Sequence, residues 1–137
     1  MDSINGILPL YKPVGPTSHD MVSWLRKKLN TKKIGHSGTL DPFAQGVLVM
    51  GIGKGTRILE YLKDSYKVYT MTLRLGLMTD TYDIEGQVIS DEEVHLNERD
   101  IIDAVLSMEG MQKQVPPIYS AKKYQGKKLY EYARKGK

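Results

Sequence analysis

Apolar residues recur along this chain with two different periods, and each change of period marks a new element. Gly6 to Tyr11 reads as a short strand, and Pro9, which lacks a backbone donor, puts that strand at a sheet edge. Lys12-Pro13-Val14-Gly15-Pro16 predicts a rigid turn. Thr17 or Ser18 then supplies an N-cap, with Asp20 in the first helical turn, where a carboxylate meets unpaired N–H groups. Met21, Val22, Leu25 and Leu29 follow on one helical face. Val47 to Gly51 predicts a buried strand, and Thr56 to Lys63 a short helix with Ile58, Leu59 and Leu62 turned inward. Tyr66 to Leu75 alternates, so that Lys67, Tyr69, Met71, Leu73 and Leu75 share one face of a predicted strand. Gly76 to Glu85 reads as a loop and Gly86 to Ile89 as a returning partner strand. Asn97 caps a helix whose inner side carries Ile101, Ile102, Val105, Leu106 and Met108. Beyond Pro116-Pro117, Tyr119 to Tyr124 pairs with a neighbour across a turn at Gln125-Gly126, and Leu129 to Lys135 reads as a basic helix.

Strands and helices interleave, yet several neighbouring strands lie close enough for antiparallel pairing. That order predicts an α+β fold, a mixed and largely antiparallel sheet flanked by helices, rather than a doubly wound parallel sheet. The 137 residues suit one modest core, and no repeat, low-complexity tract or linker divides them. The last segment, Tyr132 to Lys137, is charged and brings no closing strand, so the chain reads as part of a longer protein.

Charge adds a hint about partners. Twenty Lys and Arg against 16 Asp and Glu leave a net charge of +4, which suits a polyanion without demanding one. Lys27, Lys28, Lys32 and Lys33 are candidates to meet nucleic-acid phosphates, although they equally suit an ordinary charged helix end. The absence of cysteine excludes disulfides, thiol catalysis and thiolate zinc sites. Three widely spaced histidines argue against a histidine metal cluster. The start lacks a basic-then-apolar leader, and no apolar run approaches the roughly 18 residues of a membrane span. A cytoplasmic protein away from membranes is the default expectation.

The stretch richest in chemistry is Gly35-His36-Ser37-Gly38-Thr39-Leu40-Asp41-Pro42. Pro42 pushes Asp41 toward extended geometry, so this carboxylate is positioned before a ligand arrives. A fixed carboxylate can act as a nucleophile on a sugar carbon. Local chemistry alone also allows an ordinary Asp-Pro turn. Gly51-Ile52-Gly53-Lys54-Gly55-Thr56 fails the Walker pattern twice, with Leu48 where a glycine belongs and Gly55 where a hydroxyl belongs. It could still bring backbone N–H groups, with Lys54 or Arg57, near a phosphate. Asp80, Asp83 and Glu85 lack calcium-loop spacing and read better as turn caps.

Taken together, several segments resemble the TruB family of tRNA pseudouridine-55 synthases. They are Lys12-Pro13 with Gly15 and Ser18; Gly35 to Pro42 with Gly46-Val47-Leu48; Lys67-Val68-Tyr69; Leu75-Gly76 with Thr79-Asp80-Thr81 and Asp83; and Gln114-Val115-Pro116-Pro117 with Tyr119-Ser120-Ala121-Lys122. Each is weak alone, but five in order span nearly the whole chain. The short N-terminus looks more like the bacterial stand-alone type than the guide-RNA-dependent relatives.

The resemblance implies that Asp41 is the catalytic aspartate and that Tyr69 stacks on the target uracil. It implies that His36 enters the opened T loop of tRNA, and it adds Leu40 and Arg57 to the substrate-binding set. Lys12 and Pro13 would brace the catalytic loop, with Gly38 and Thr39 supporting it. Asp83 would orient an arginine that pairs with the aspartate, from a later motif not found here. The implied chain is the N-terminal portion, residues 1–137, of a pseudouridine synthase catalytic domain. The rest of that domain and an RNA-binding domain are absent, so this piece alone is expected to be inactive. The reaction breaks the bond from base nitrogen to ribose and rejoins the base through carbon, with no redox change. No cofactor, metal or protein partner is therefore expected, and the substrate is the T-stem loop of tRNA. On pattern alone Tyr69 fits a core position and His36 a solvated loop position, so their roles rest on the resemblance. A guide-dependent synthase subunit, or a non-catalytic RNA-binding module on the same fold, is the alternative.

Overall fold

The computed structural model describes residues 4–115, 123–128 and 132. The chain forms two compact units, residues 1–70 and 71–137.

The first unit is built on a three-stranded antiparallel sheet. Strand β1 (Gly6–Lys12) and strand β2 (Ile34–His36) flank strand β3 (Gly46–Ile52), giving the order β1-β3-β2. Pro9 lies opposite Val49 on the outer strand, as the edge prediction requires. Alternation decides what each face does. Leu10 pairs with Leu48, Leu8 with Met50, and Gly6 and Ile34 with Ile52. These positions meet helix α1 (Ser18–Leu29), whose Val22 and Leu25 are buried and whose Met21 and Leu29 pack alongside. Burying each such side chain contributes about 1.5–3 kcal/mol.

Thr17 is the N-cap of α1. Its hydroxyl accepts from the Asp20 N–H at 3.1 Å, and the Asp20 carboxylate accepts from the Thr17 N–H at 2.8 Å, a reciprocal capping box. Asn30 ends the helix in the left-handed region (φ 46°), with Arg26, Lys27 and Lys28 in the last turn, where cations suit the helix dipole.

After β3 the chain forms a 3₁₀ helix, Gly53–Leu62, longer than such helices usually run. A three-residue turn aligns Thr56, Leu59 and Leu62. Leu59 is accordingly buried, while Ile58, expected inside on an α-helical period, is half exposed.

The second unit pairs β4 (Leu77–Thr79) with β5 (Val88–Asp91) antiparallel, with a register shift between Met78 and Thr79. Helix α2 (Glu98–Leu106) starts from an Asn97 capping box with Asp100. A hairpin of β6 (Lys123–Tyr124) and β7 (Lys127–Lys128) turns at Gln125 and Gly126, both at positive φ as a two-residue hairpin turn prefers. Every ladder among the described residues is antiparallel, which matches the α+β reading.

Four expectations are corrected. Tyr66 to Leu75 forms no strand, because no segment among the described residues supplies a ladder for it, and Met71 and Leu73 are exposed. The returning strand Val88–Asp91 pairs instead with Leu77–Thr79, inside the stretch read as a loop. The loop expected from Gly35 begins later, because Ile34–His36 adds to β3. Helix α2 forms, but Ile102, Val105, Leu106 and Met108 stay exposed and only Ile101 is partly covered. Tyr119 to Lys122 and, apart from Tyr132, the helix expected over Leu129 to Lys135 lie outside the described residues.

Candidate functional site

The loop joining β2 to β3 is tied down from several directions. Ser37 N–H donates to the Val49 carbonyl at 3.0 Å, carrying the β2 ladder one residue further. The His36 ring nitrogen Nδ1 lies 2.5 Å from the Gly38 carbonyl oxygen, so that nitrogen carries the hydrogen and the ring braces its own loop. The Ala44 N–H donates to the Asp41 carbonyl at 3.0 Å and closes a turn around Pro42.

The turn between β1 and α1 supplies the remaining ties. Lys12 is completely buried, and its Nζ donates to the carbonyls of Ala44 (2.7 Å), Pro13 (3.0 Å) and Pro42 (3.3 Å). Three acceptors use the three N–H donors of an ammonium group. The Gly15 N–H donates to the Pro42 carbonyl at 2.8 Å, from a glycine at φ 110° where a side chain is strained. Ser18, also buried, makes a two-way bond with Leu40: its Oγ donates to the Leu40 carbonyl at 3.1 Å and accepts from the Leu40 N–H at 2.9 Å. Asp41 is thus bracketed on both sides while its own side chain is exposed. Among the described residues no ion pair or hydrogen bond reaches it.

Beside this loop lies a cleft of about 450 Å³, within the usual size of small-molecule sites. Gly38, Thr39 and Leu40 form one wall, Val47 and Val49 of β3 the floor, and Tyr66 to Tyr69 the far side. Asp41 does not line the cleft but directly follows Leu40, which does. Tyr69 keeps 59% of its surface exposed and so presents an open aromatic face. The Lys67 stem passes beside Gly38, where a β-carbon would sit 3.6 Å from Lys67 Cε, an ordinary contact. At the rim Tyr11 donates its hydroxyl hydrogen to Gln45 Oε1 at 2.7 Å. Asp41, Leu40, Gly38, Thr39, His36, Lys12, Pro13 and Tyr69 therefore all belong to the first unit, around this loop and cleft. Val49 was not singled out in the sequence, because nothing in a strand pattern says which face stays open.

The remaining candidates sort differently. Arg57 is exposed on the 3₁₀ helix. The preceding glycine loop has lost two of the backbone donors that a phosphate would need. The Lys54 N–H donates to Asn5 Oδ1 (2.6 Å) and the Gly53 N–H to the Lys33 carbonyl (2.8 Å), so both donors are spent within the fold. A β-carbon at Gly55 would collide with the Gly6 carbonyl, so that glycine serves close packing against β1. Asp83 lies in the second unit. Its Oδ1 accepts from Thr81 Oγ1 (2.7 Å) and from the Glu85 N–H (2.9 Å), while Asp80 Oδ1 accepts from the Gln87 N–H (2.8 Å). These carboxylates knit a turn, as the spacing argument expected. Asp20 is held below the ordinary carboxylate range, first by its bond to the Thr17 hydroxyl and then by the Thr17 backbone, which marks it as part of the helix cap. Among the described residues no group of three or more His, Asp or Glu is placed to hold a metal ion. No helix among them is long and apolar enough to cross a membrane.

Comparison with known proteins gives the family of the chain. Residues 26–137 match the model of the TruB family pseudouridylate synthase N-terminal domain. The chain is 57% identical over 133 residues to tRNA pseudouridine synthase B of Thermotoga maritima, covering 97% of this chain and 43% of that protein. It is 54% identical over 134 residues to tRNA pseudouridine synthase B of Clostridium novyi, covering 46% of that protein. The chain thus spans less than half the length of these relatives. Among solved structures, a chain of a Cbf5–Nop10–Gar1 complex superposes with a TM-score of 0.60 over 86% of this chain and 31% of that one, at 32% identity.

Proposed function

The chain belongs to the TruB family of pseudouridylate synthases, and from that membership we propose that the whole protein converts uridine 55 in the T loop of tRNA to pseudouridine. This chain is the N-terminal portion of its catalytic domain. The arginine that pairs with the aspartate, and an RNA-binding domain, follow further along the protein, so this portion alone is inactive. The protein acts in the cytoplasm, on free tRNA, without a protein partner.

The observation that carries the reading is Asp41 in a loop whose backbone is fixed on both sides, next to an open cleft with an aromatic wall. The reaction needs that combination. The target nucleotide is stacked inside a folded loop and must be everted, at a few kcal/mol. Stacking on the open Tyr69 ring returns about 1–3 kcal/mol. The Asp41 carboxylate then acts on the ribose, as nucleophile at the anomeric carbon or as base toward a ribose proton. Both routes need it ionised, and the arginine supplied by the rest of the enzyme keeps it so once substrate buries it. The base rotates and rejoins the same ribose through carbon, so no atom is lost or gained. Leu40 and Arg57 contact the substrate, His36 enters the opened T loop, and Asp83 orients the arginine. Lys12, Pro13, Gly38 and Thr39 hold the loop in shape.

The test is conversion of unmodified tRNA by the intact enzyme, with pseudouridine mapped chemically, for parent and Asp41→Asn. The variant should bind tRNA with little loss and produce no pseudouridine. Turnover retained in Asp41→Asn refutes the assignment. Parent enzyme inert on free tRNA points instead to a guide-dependent subunit or an RNA-binding module.

A further inference from the structure

We propose that Ser18 is a positioning residue for the Asp41 carboxylate, acting through the backbone of Leu40. The inference rests on the role proposed for Asp41 and goes beyond it.

The side chain sits at the first position of α1, where a hydroxyl usually has one of two tasks. It caps the helix, or it faces solvent. Thr17 already does the capping, with Asp20 as its reciprocal partner. That leaves the Ser18 hydroxyl with no duty to its own helix. It is nonetheless buried to 2% exposure and uses both of its capacities on a single distant residue. One Oγ donates its hydrogen to the Leu40 carbonyl and accepts the Leu40 N–H, across 22 positions of sequence. A single bond would leave the peptide plane free to rock. Bonds to both the N–H and the C=O of one residue fix its rotation about the local chain axis. The Leu40 carbonyl carbon is bonded directly to the Asp41 nitrogen, so this rotation sets where the Asp41 side chain leaves the chain. Lys12 and Gly15 hold the opposite side, at Pro42 and Ala44. Ser18 holds the side that also lines the cleft, at the residue directly before Asp41.

Removing the hydroxyl releases one side of the bracket, and a reactive group misplaced by about 1 Å loses on the order of 100-fold in rate. In the intact enzyme, Ser18→Ala should lower the single-turnover rate of pseudouridine formation ~10–100-fold. Its tRNA dissociation constant should stay within about twofold, since Ser18 touches no ligand. Thr17→Ala is the control: it weakens the same helix start but leaves the Leu40 clamp, and its single-turnover rate should remain within about twofold of the parent. Ser18→Cys, which keeps a weaker donor and acceptor at that point, should fall between Ser18→Ala and the parent, and it carries the test if Ser18→Ala does not fold. The inference is overturned if the serine variants react at the parental rate, or if Thr17→Ala slows the reaction as much as Ser18→Ala. A fully active Ser18→Ala beside an inactive Asp41→Asn removes the Ser18 role alone, whereas an active Asp41→Asn removes the reading beneath it.

Discussion

Replacing Lys12 by methionine keeps most of the length of the side chain and removes its charge. In the parent, the buried Nζ serves the carbonyls of Pro13, Pro42 and Ala44. Pro42 keeps a second donor in the Gly15 N–H and Pro13 is exposed to water, so the substitution chiefly orphans the Ala44 carbonyl. An unsatisfied acceptor there costs about 1–3 kcal/mol. Against this stands relief from desolvating an ammonium group, a penalty of several kcal/mol in a protein interior. The two terms largely cancel, so the loss of global stability should stay below about 2 kcal/mol. The loss is local, because these carbonyls belong to the turn after β1 and the loop after β2. The assay is urea unfolding of the intact enzyme, together with amide exchange of Gly15 and Ala44 and single-turnover kinetics. Exchange at both amides should accelerate more than at the β3 amides, and pseudouridine formation should slow. Lys12→Arg should not restore activity, since the larger planar group does not fit a space with no exposure. If Lys12→Met is as stable and as active as the parent, the ammonium does not brace the loop, and the account of how Asp41 is held is wrong.

Other substitutions test separate links. Tyr69→Ala should reduce single-turnover activity about 5–150-fold, the equivalent of ~1–3 kcal/mol of lost stacking. Thermal unfolding should shift little, since the ring is more than half exposed; a large loss of stability with normal kinetics would make it a packing residue. Gly55→Ala should destabilise the first unit, because the new β-carbon meets the Gly6 carbonyl, and added phosphate should not rescue it; a thermal melt with and without phosphate checks both points. The Asp20 carboxyl is held below its ordinary value of 3.8, so it stabilises the fold above that pH and loses the contribution as pH falls through the lower folded value. Parent and Asp20→Asn should therefore differ in unfolding midpoint near neutral pH and converge in strong acid. Asn97→Ala should weaken the start of α2 by about 1 kcal/mol, read as faster amide exchange in its first turn.

Elements whose signals are local were legible in the sequence. Strand β1, helix α1 and strand β3 carry their apolar period and their end signals within a dozen residues, and α1 and α2 begin where Thr17 and Asn97 predict. Elements that depend on a distant partner were not. Ile34–His36 is too short to show alternation and is a strand only because β3 accepts it. Tyr66 to Leu75 shows strong alternation and makes no ladder among the described residues, since period reports which side chains suit burial and not whether a partner is present. Ile58 was misplaced because an α-helical period was applied to a 3₁₀ helix, whose faces repeat every three residues.

The same division runs through the candidate site. Asp41 could be singled out because Gly38, Pro42 and the apolar run behind them mark a stiff loop in sequence. The groups that make the loop stiff lie elsewhere: Lys12, Gly15 and Ser18 are 22 to 32 positions from the carbonyls and N–H they bind, except for the Lys12 contact with adjacent Pro13. Their residue types look ordinary in isolation, a basic residue at a strand end, a turn glycine and a second hydroxyl at a helix start. What distinguishes Lys12 and Ser18 is burial. A charged or hydroxyl side chain removed from water must find partners inside the protein, and here those partners are the backbone on either side of one aspartate. A buried polar side chain that its own element does not need is therefore the sign by which such supports are found, and it can be read only once the strands that bury it are in place.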